Sequence, residues 1–235
     1  KNTVFLKTGE PADHYLTNIC WSPDEKNIYI AELNREQNDM KLNCYDASSG
    51  EFVKTVLEET NPKYVEPMNP IVFSKADPTK FYMQTKRDGW NHVYLYDING
   101  KLIRQVTTGN WEVTGVLGFD AKEQNMFFEA TKESPLERNL YKVSIKDGKF
   151  EKLSSQAGTH AGVLSPDQQF MLDSWTSTDV PGKLDLITVR KNQRKTIFEA
   201  ENTLKNYELG ENTVFTIKAV DDSTDLYCRM IKPNN

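Results

Sequence analysis

Apolar residues recur along this chain in short runs that stop at turn-forming residues, and the stops repeat. Trp21-Ser22-Pro23-Asp24 closes one run. Phe73-Ser74-Lys75-Ala76-Asp77-Pro78, Phe119-Asp120-Ala121-Lys122 and Leu164-Ser165-Pro166-Asp167 close three more. Counted from Trp21, Phe73, Phe119 and Leu164, the spacings are 52, 46 and 45 residues. A second set of marks keeps step: Ser49-Gly50, Asn99-Gly100, Asp147-Gly148 and Lys191-Asn192. Counted from the glycines and then Asn192, these fall 50, 48 and 44 residues apart. Two independent marks with one period define an internal repeat.

Each repeat reads as four short strands. The first unit predicts strands at Tyr15 to Trp21, Ile28 to Leu33, Leu42 to Asp46 and Phe52 to Leu57. The second predicts them at Ile71 to Phe73, Lys80 to Gln84, His92 to Asp97 and Leu102 to Thr107. The third uses Val113 to Phe119, Met126 to Ala130, Leu140 to Ile145 and Phe150 to Leu153. The fourth uses Ala161 to Leu164, Phe170 to Trp175, Leu184 to Val189 and Lys195 to Glu199. The run from His92 to Asp97 alternates poorly, as suits a strand packed on both faces. Asn99-Gly100 predicts a type I′ hairpin turn, in which both central residues need positive φ.

Four-stranded units of 40 to 50 residues predict β-propeller blades. The expected fold class is all-β, a propeller fragment of about four to five four-stranded antiparallel blades. The blades fall at roughly 13–58, 68–108, 112–154 and 160–200, so residues 1–204 form a partial propeller. No helix-period stretch competes, although Glu199 to Leu204 has room for one helical turn. Three strands are left over: Thr3 to Leu6, Asn212 to Lys218 and Asp225 to Ile231, the last two joined by a turn at Asp221 to Thr224. Either Thr3 to Leu6 joins the last two strands as a fifth, partial blade, or the arc stays open and meets another copy. An open arc leaves bare sheet edges, so the chain is expected to be a piece of something larger.

Composition supports this reading. Of 235 residues, 37% are hydrophobic and 27% charged. That is a low apolar share for one compact core and fits many thin sheets better. The net charge of -5 offers no basic excess to neutralise phosphates, which argues against nucleic acid as a partner. No run of eighteen apolar residues predicts a membrane span. Cys20, Cys44 and Cys228 are few and widely spaced, with no C-x-x-C pair. They read as buried free thiols; a Cys20–Cys44 bridge is the alternative. Lys1-Asn2-Thr3-Val4 has no apolar leader core, so either a mature protein starts here or the chain is an excised piece.

The order and spacing of several segments resemble dipeptidyl peptidase IV and its bacterial relatives. These are Gly89-Trp90-Asn91-His92-Val93-Tyr94-Leu95-Tyr96, Thr107-Thr108-Gly109-Asn110-Trp111-Glu112-Val113 and Ser134-Pro135-Leu136-Glu137-Arg138-Asn139-Leu140-Tyr141. Asp13-His14-Tyr15-Leu16 and Tyr45-Asp46-Ala47-Ser48-Ser49-Gly50 fit as well. The resemblance covers essentially the whole chain. It implies an eight-bladed propeller capping an α/β-hydrolase domain, in an enzyme that removes dipeptides from peptide N-termini and prefers proline or alanine in second place. By the resemblance this chain is the C-terminal half of the propeller. Residues 205–235, ending in Tyr227-Cys228-Arg229-Met230-Ile231-Lys232-Pro233, then lead into a hydrolase domain beyond the chain. The partners implied are peptide substrates, through the parent enzyme, and that hydrolase domain. Homodimerisation and a periplasmic or secreted location are implied too. No cofactor is implied.

The chain carries no G-x-S-x-G nucleophile elbow, which a serine hydrolase of that kind needs. No catalytic residue is therefore expected here, and peptidase activity is expected only of the parent. Its histidines, His14, His92 and His160, lie inside the blade pattern with no i, i+4 pair for a zinc helix. His92 is expected to be a structural residue hydrogen-bonded at a blade edge, and no metal site is read. Glu58-Glu59 is the adjacent acidic pair that could hold a substrate ammonium. In the family that pair lies earlier in the propeller, so Glu58-Glu59 is read as a solvated edge. The candidate pocket wall is Tyr64-Val65-Glu66, on the loop before the second blade. Some family members carry Arg-Pro here, facing the substrate pocket, whereas this chain has Glu66-Pro67. A carboxylate cannot donate a hydrogen bond as a guanidinium does. Glu66 either meets a cationic part of the substrate or makes a structural salt bridge. Trp21, Trp90, Trp111 and Trp175 sit at comparable places in successive units and are read as packing between blades. A propeller used as an interaction module is the competing function. No Trp-Asp dipeptide of the kind that closes interaction-type blades occurs.

Overall fold

A computed structural model describes residues 3–233. It contains eighteen strands and no helix among the described residues. The first blade is β1 (Tyr15–Trp21), β2 (Asn27–Leu33), β3 (Asp39–Asp46) and β4 (Phe52–Thr60). The second is β5 (Val72–Phe73), β6 (Lys80–Thr85), β7 (His92–Asp97) and β8 (Leu102–Gln105). The third is β9 (Val113–Phe119), β10 (Asn125–Ala130), β11 (Asn139–Ser144) and β12 (Phe150–Lys152). The fourth is β13 (Thr159–Leu164), β14 (Phe170–Thr176), β15 (Lys183–Thr188) and β16 (Gln193–Glu199). Each is a four-stranded antiparallel meander in chain order. The fold class is the all-β blade array that the repeat implies.

The two repeating marks are the two hairpin turns of each blade. At the first turn the same backbone bond recurs four times: Ser22 N to Asn27 O, Ser74 N to Lys80 O, Asp120 N to Asn125 O and Ser165 N to Phe170 O. The serine hydroxyl or Asp120 carboxylate then takes a nearby N–H, such as Asn27 N at 2.9 Å and Gln124 N at 2.7 Å. The second mark is a left-handed residue in each blade: Gly50, Gly100, Gly148 and Asn192, with φ of 73°, 82°, 70° and 49°. Asn192 can stand in for glycine because its short polar side chain tolerates that conformation. The Asn99-Gly100 turn departs from the type I′ expectation. Only Gly100 has positive φ, and its N–H bonds back to Asp97 O. The ladder shifts register at Leu95/Tyr96, as in a type I turn followed by a glycine bulge.

Blades pack face to face, and each interface has its own core. Tyr29, Leu33, Met40 and Leu42 of the first blade meet Phe81, Met83 and Tyr96 of the second. Tyr82 and Val93 meet Trp111, Met126 and Phe128 at the next interface. Phe127 and Leu140 meet Met171 and Ile187 at the third. Strand alternation places one set of side chains on each face, so a middle blade such as β6–β7 is buried on both.

Cations on the outermost strands reach across to the next blade's turn. Lys54 Nζ donates to Ile98 O at 2.9 Å and Asn99 Oδ1 at 2.8 Å. Arg104, at the equivalent place on β8, donates to the carbonyls of Ile145 and Lys146. Periodicity of hydrophobic residues could not reveal these ties, although a basic third residue does recur in the outer strands: Lys54, Arg104, Lys152 and Lys195.

The chain divides into two units, Lys1–Glu199 and Ala200–Asn235. The second unit holds a two-stranded hairpin, β17 (Glu211–Lys218) and β18 (Asp225–Lys232). Two expected elements do not form. Thr3 to Leu6 forms no strand; this segment instead lies over the first blade's second turn, where Lys7 N bonds Gly50 O at 2.8 Å. Glu199 to Leu204 makes no helical turn; the chain turns later, with Lys205 N bonded to Asn202 O and Tyr207 N to Leu204 O. The cysteines are free, but only Cys44 is buried as expected; Cys20 and Cys228 are half-buried. Cys20 and Cys44 both face Tyr29 from opposite sides, in register across three strands. That places their Cα atoms two strand spacings apart, about 9.5 Å, beyond the reach of a disulfide.

Candidate functional site

The loop between β4 and β5 carries Tyr64, Val65 and Glu66. Its middle residue is the anchor. Val65 is 6% exposed and belongs to the core between the first two blades. Its N–H donates to Gln37 O at 2.8 Å. Two residues on, Pro67 O accepts from Asn18 Nδ2 at 2.9 Å. Asn18 sits at positive φ in the bulge of β1, which turns its side chain out of the ladder toward the loop. With Val65 held inward, Tyr64 on one side is exposed.

Glu66 lies on the other side and pairs with Lys86 Nζ at 2.8 Å. Lys86 is on the turn between β6 and β7, and its ammonium also lies 4.0 Å from Glu112. The hydrogen bond it donates to Glu66 is the main reason that the Lys86 ammonium is held above its ordinary range; burial works against it and Glu112 adds to it. The Glu66 side chain is still half exposed, so the pair is worth no more than about 1 kcal/mol. Net charge over the three groups is one negative. The loop thus presents an aromatic ring beside a partly neutralised carboxylate.

The adjacent acidic pair divides. Glu58 is half exposed and faces Lys41 at 3.8 Å. Glu59 is not the solvated residue expected: its side chain is 12% exposed. Both its oxygens lie within 2.6 Å of Thr85 Oγ1, and Arg87 approaches at 3.8 Å. Arg87 also lies over the rings of Tyr94 and Tyr96, at 5.3 and 5.5 Å. Strand register explains the split, since neighbours on β4 point to opposite faces and only one of those faces meets the second blade.

The ring nitrogens of His92 and His160 both have partners. His92 is fully buried; Nε2 lies 2.9 Å from Gly109 O and Nδ1 3.0 Å from Thr107 Oγ1. The Thr107 hydroxyl also accepts from Val93 N, so its own proton is free to meet Nδ1. The third blade uses the same device with Ser154 and Asn139. Trp111 packs edge-on to His92 and Trp175 is buried in the fourth blade, but Trp21 and Trp90 are exposed. Packing between blades therefore accounts for Trp111 alone, since Trp175 meets His160, Lys183 and Asp185 of its own blade. No group of three or more His, Cys, Asp or Glu that could hold a metal occurs among the described residues.

Two clefts lie between blades near their first turns. One, of about 240 Å³, is lined by Phe73, Lys75, Phe119 and Glu123 among others. The other, of about 690 Å³, lies between the third and fourth blades beside Asp120, Lys142, Gln168 and Arg190.

Residues 1–182 match the family model described as the dipeptidyl peptidase IV N-terminal region. The chain belongs to that family. It is 28% identical to dipeptidyl peptidase 4 of Arthroderma otae over its whole length, covering 32% of that protein. A crystal structure assigned as a dipeptidyl aminopeptidase IV of Bacteroides ovatus superposes with a TM-score of 0.90 at 36% identity, over 97% of this chain and 35% of that one. Porphyromonas gingivalis dipeptidyl peptidase 4 gives a TM-score of 0.86 at 26% identity, over 97% of this chain and 32% of that one. The chain thus spans about a third of these relatives. A mouse relative, 28% identical over 57% of this chain, is named inactive dipeptidyl peptidase 10. Membership of the family and peptidase activity are therefore separable.

Proposed function

We propose that this chain is the noncatalytic propeller part of a serine exopeptidase that removes X-Pro or X-Ala dipeptides from peptide N-termini. The family match over residues 1–182 carries the reading. The chain has no G-x-S-x-G elbow, so the nucleophile comes from an α/β-hydrolase domain, with residues 205–235 leading into it. The blades gate access by size, and Tyr64, Val65 and Glu66 line the substrate pocket. Val65 fixes the loop, Tyr64 supplies an apolar wall, and Glu66 meets a cationic part of the substrate as the Lys86 ammonium shifts aside. The parent enzyme acts in the periplasm or outside the cell and works as a homodimer.

The test compares the whole protein with residues 1–235 on a Gly-Pro chromogenic substrate. Turnover by the whole protein and none by the isolated chain is expected; turnover by the chain alone overturns the noncatalytic reading. In the whole enzyme, Glu66→Ala should raise KM with little change in kcat, because it removes a contact made equally in ground and transition states. Unchanged kinetics leave Glu66 as a salt bridge only.

A second reading has the propeller as an interaction module without peptidase activity. The inactive mouse relative is the observation that favours it. A whole protein that turns over no dipeptidyl substrate selects this reading.

A further inference from the structure

The fourth blade holds a buried charged cluster that plays no part in the pocket wall. His160 on β13 is 1% exposed and Asp173 on β14 is fully buried. His160 Nδ1 stands 2.9 and 3.0 Å from the two carboxylate oxygens of Asp173. Its Nε2 stands 3.1 Å from the carbonyl oxygen of Gln156. A carbonyl and an ionised carboxylate only accept hydrogen bonds, so both ring nitrogens must carry protons. This is unlike His92, which has a hydroxyl on one side and a carbonyl on the other.

Charge balance points the same way. Arg194 on β16 donates from Nη1 to Asp173 Oδ2 at 2.9 Å and Asp185 Oδ2 at 2.8 Å. Asp185 is buried as well, and Trp175 Nε1 and Thr196 Oγ1 donate to it at 2.9 and 2.6 Å. Two carboxylates face one guanidinium, and a protonated His160 brings the sum to zero. An uncompensated buried charge costs several kcal/mol. Asp173 meets two donors, His160 Nδ1 and Arg194 Nη1, so it serves as an acceptor and the shared proton lies on the ring.

We propose that His160 is a proton-dependent bolt between the fourth blade and residues 154–158, the connector from the third blade. Arg194 Nη2 donates to Leu153 O at 2.5 Å, so the cluster holds the chain just before that connector as well as at its middle residue, Gln156. Loss of the Nε2 proton sets a ring lone pair against the Gln156 carbonyl and leaves one net negative charge in the blade. The other charged groups nearby do not face Nε2. Arg138 accepts the His160 N–H at its carbonyl and turns its guanidinium to the carbonyls of Pro135 and Glu137. Glu129 holds Gly162 N at 2.9 Å. Lys183 lies 5.8 Å over the Trp175 ring, which itself stacks on His160. Gln156 is therefore the group that registers the proton. The doubly protonated ring fits these acceptors, so the connector is bolted while His160 carries both protons and is released when the ring gives one up.

The test follows the ring nitrogens of the ¹⁵N-labelled protein by NMR from pH 5.5 to 9, with hydrogen exchange measured in parallel. At pH 7 the His160 ring should show two protonated nitrogens and the His92 ring one. Protection of the 154–160 amides, corrected for base-catalysed exchange, should fall at least tenfold between pH 6 and 9, while that of 92–107 should hold. His160→Gln keeps an amide donor for Gln156 without a titrating charge and should abolish the pH dependence. Should that variant fail to fold, the wild-type ring signals still decide. A His160 ring with a single proton at pH 6.5, or connector protection unchanged across the range, overturns the proposal.

Discussion

Glu123, in the first turn of the third blade, accepts a 2.5 Å hydrogen bond from Ser74 Oγ in the matching turn of the second. Its other carboxylate oxygen takes the Lys75 N–H. Glu123 sits at positive φ, three residues after Asp120, and that backbone aims its side chain at the neighbouring blade. Hydrogen bonds to a charged acceptor contribute about 1.5–3 kcal/mol each, discounted here because Glu123 is only half buried. Glu123→Ala should lower stability by about 1–2 kcal/mol in urea unfolding. A loss within error would mean that the apolar face alone seats these blades.

The same corner between the third and fourth blades is built in reverse. Asp120 replaces the serine, and Gln168, again at positive φ and three residues after Ser165, replaces the glutamate. Gln168 turns its amide to Pro166 O in its own turn, and the larger cleft lies beside the unmade latch. The double variant Asp120→Ser with Gln168→Glu should recreate the closed latch and add about 1 kcal/mol. Each single change should do less, and Gln168→Glu alone should destabilise by setting two carboxylates face to face. A double variant no more stable than its parent would sink the idea that side-chain chemistry sets this gap.

The blades were legible because their signal is periodic and local. The turn at Trp21 to Asp24 and the left-handed Gly50 need only neighbouring residues to form, so their recurrence shows in sequence. What escaped was chemistry between blades. Glu123 and Ser74 are 49 residues apart, and Lys54 meets Asn99 across 45; no run of hydrophobicity reports such pairs. Glu59 was misread for the same reason, since only the packed second blade covers it. At the pocket loop, Val65 could be named from resemblance, but its role as anchor depends on Gln37 and Asn18, which lie in the first blade.

Burial of tyrosines makes an alkaline prediction. Desolvation pushes Tyr82 and Tyr96 up to about 12, and it raises Tyr29, Tyr45, Tyr94 and Tyr141 as well. In the unfolded chain a phenol ionises near 10. The folded state therefore keeps protons that the unfolded state gives up, so stability is full below about pH 10 and declines as pH rises toward 12. Phenolate absorbance should lag for six of the ten tyrosines and then rise together with loss of near-ultraviolet circular dichroism. Six buried tyrosines that ionise near pH 10 in a folded protein would contradict this.

Acid should act through the turns. Asp77 is held down to about 2, first by the Lys80 ammonium, then by the Thr79 hydroxyl and N–H. Asp46 is held down to about 2 by the hydroxyls of Ser48 and Ser49 and the Ser49 N–H. An unfolded aspartate titrates near 3.9, so the folded state binds fewer protons between the two values. The stabilisation is present above about pH 4 and is lost as pH falls toward 2. Both carboxylates are solvent-exposed, so each contribution is small; they act at successive turns of one array. Asp46→Asn and Asp77→Asn together should lower the melting temperature at pH 7 and lower it clearly less at pH 2.5, where the wild-type carboxylates are largely protonated in the unfolded state and still mostly ionised in the folded one. A deficit that is equal at both pH values would assign the loss to altered turn geometry and not to charge.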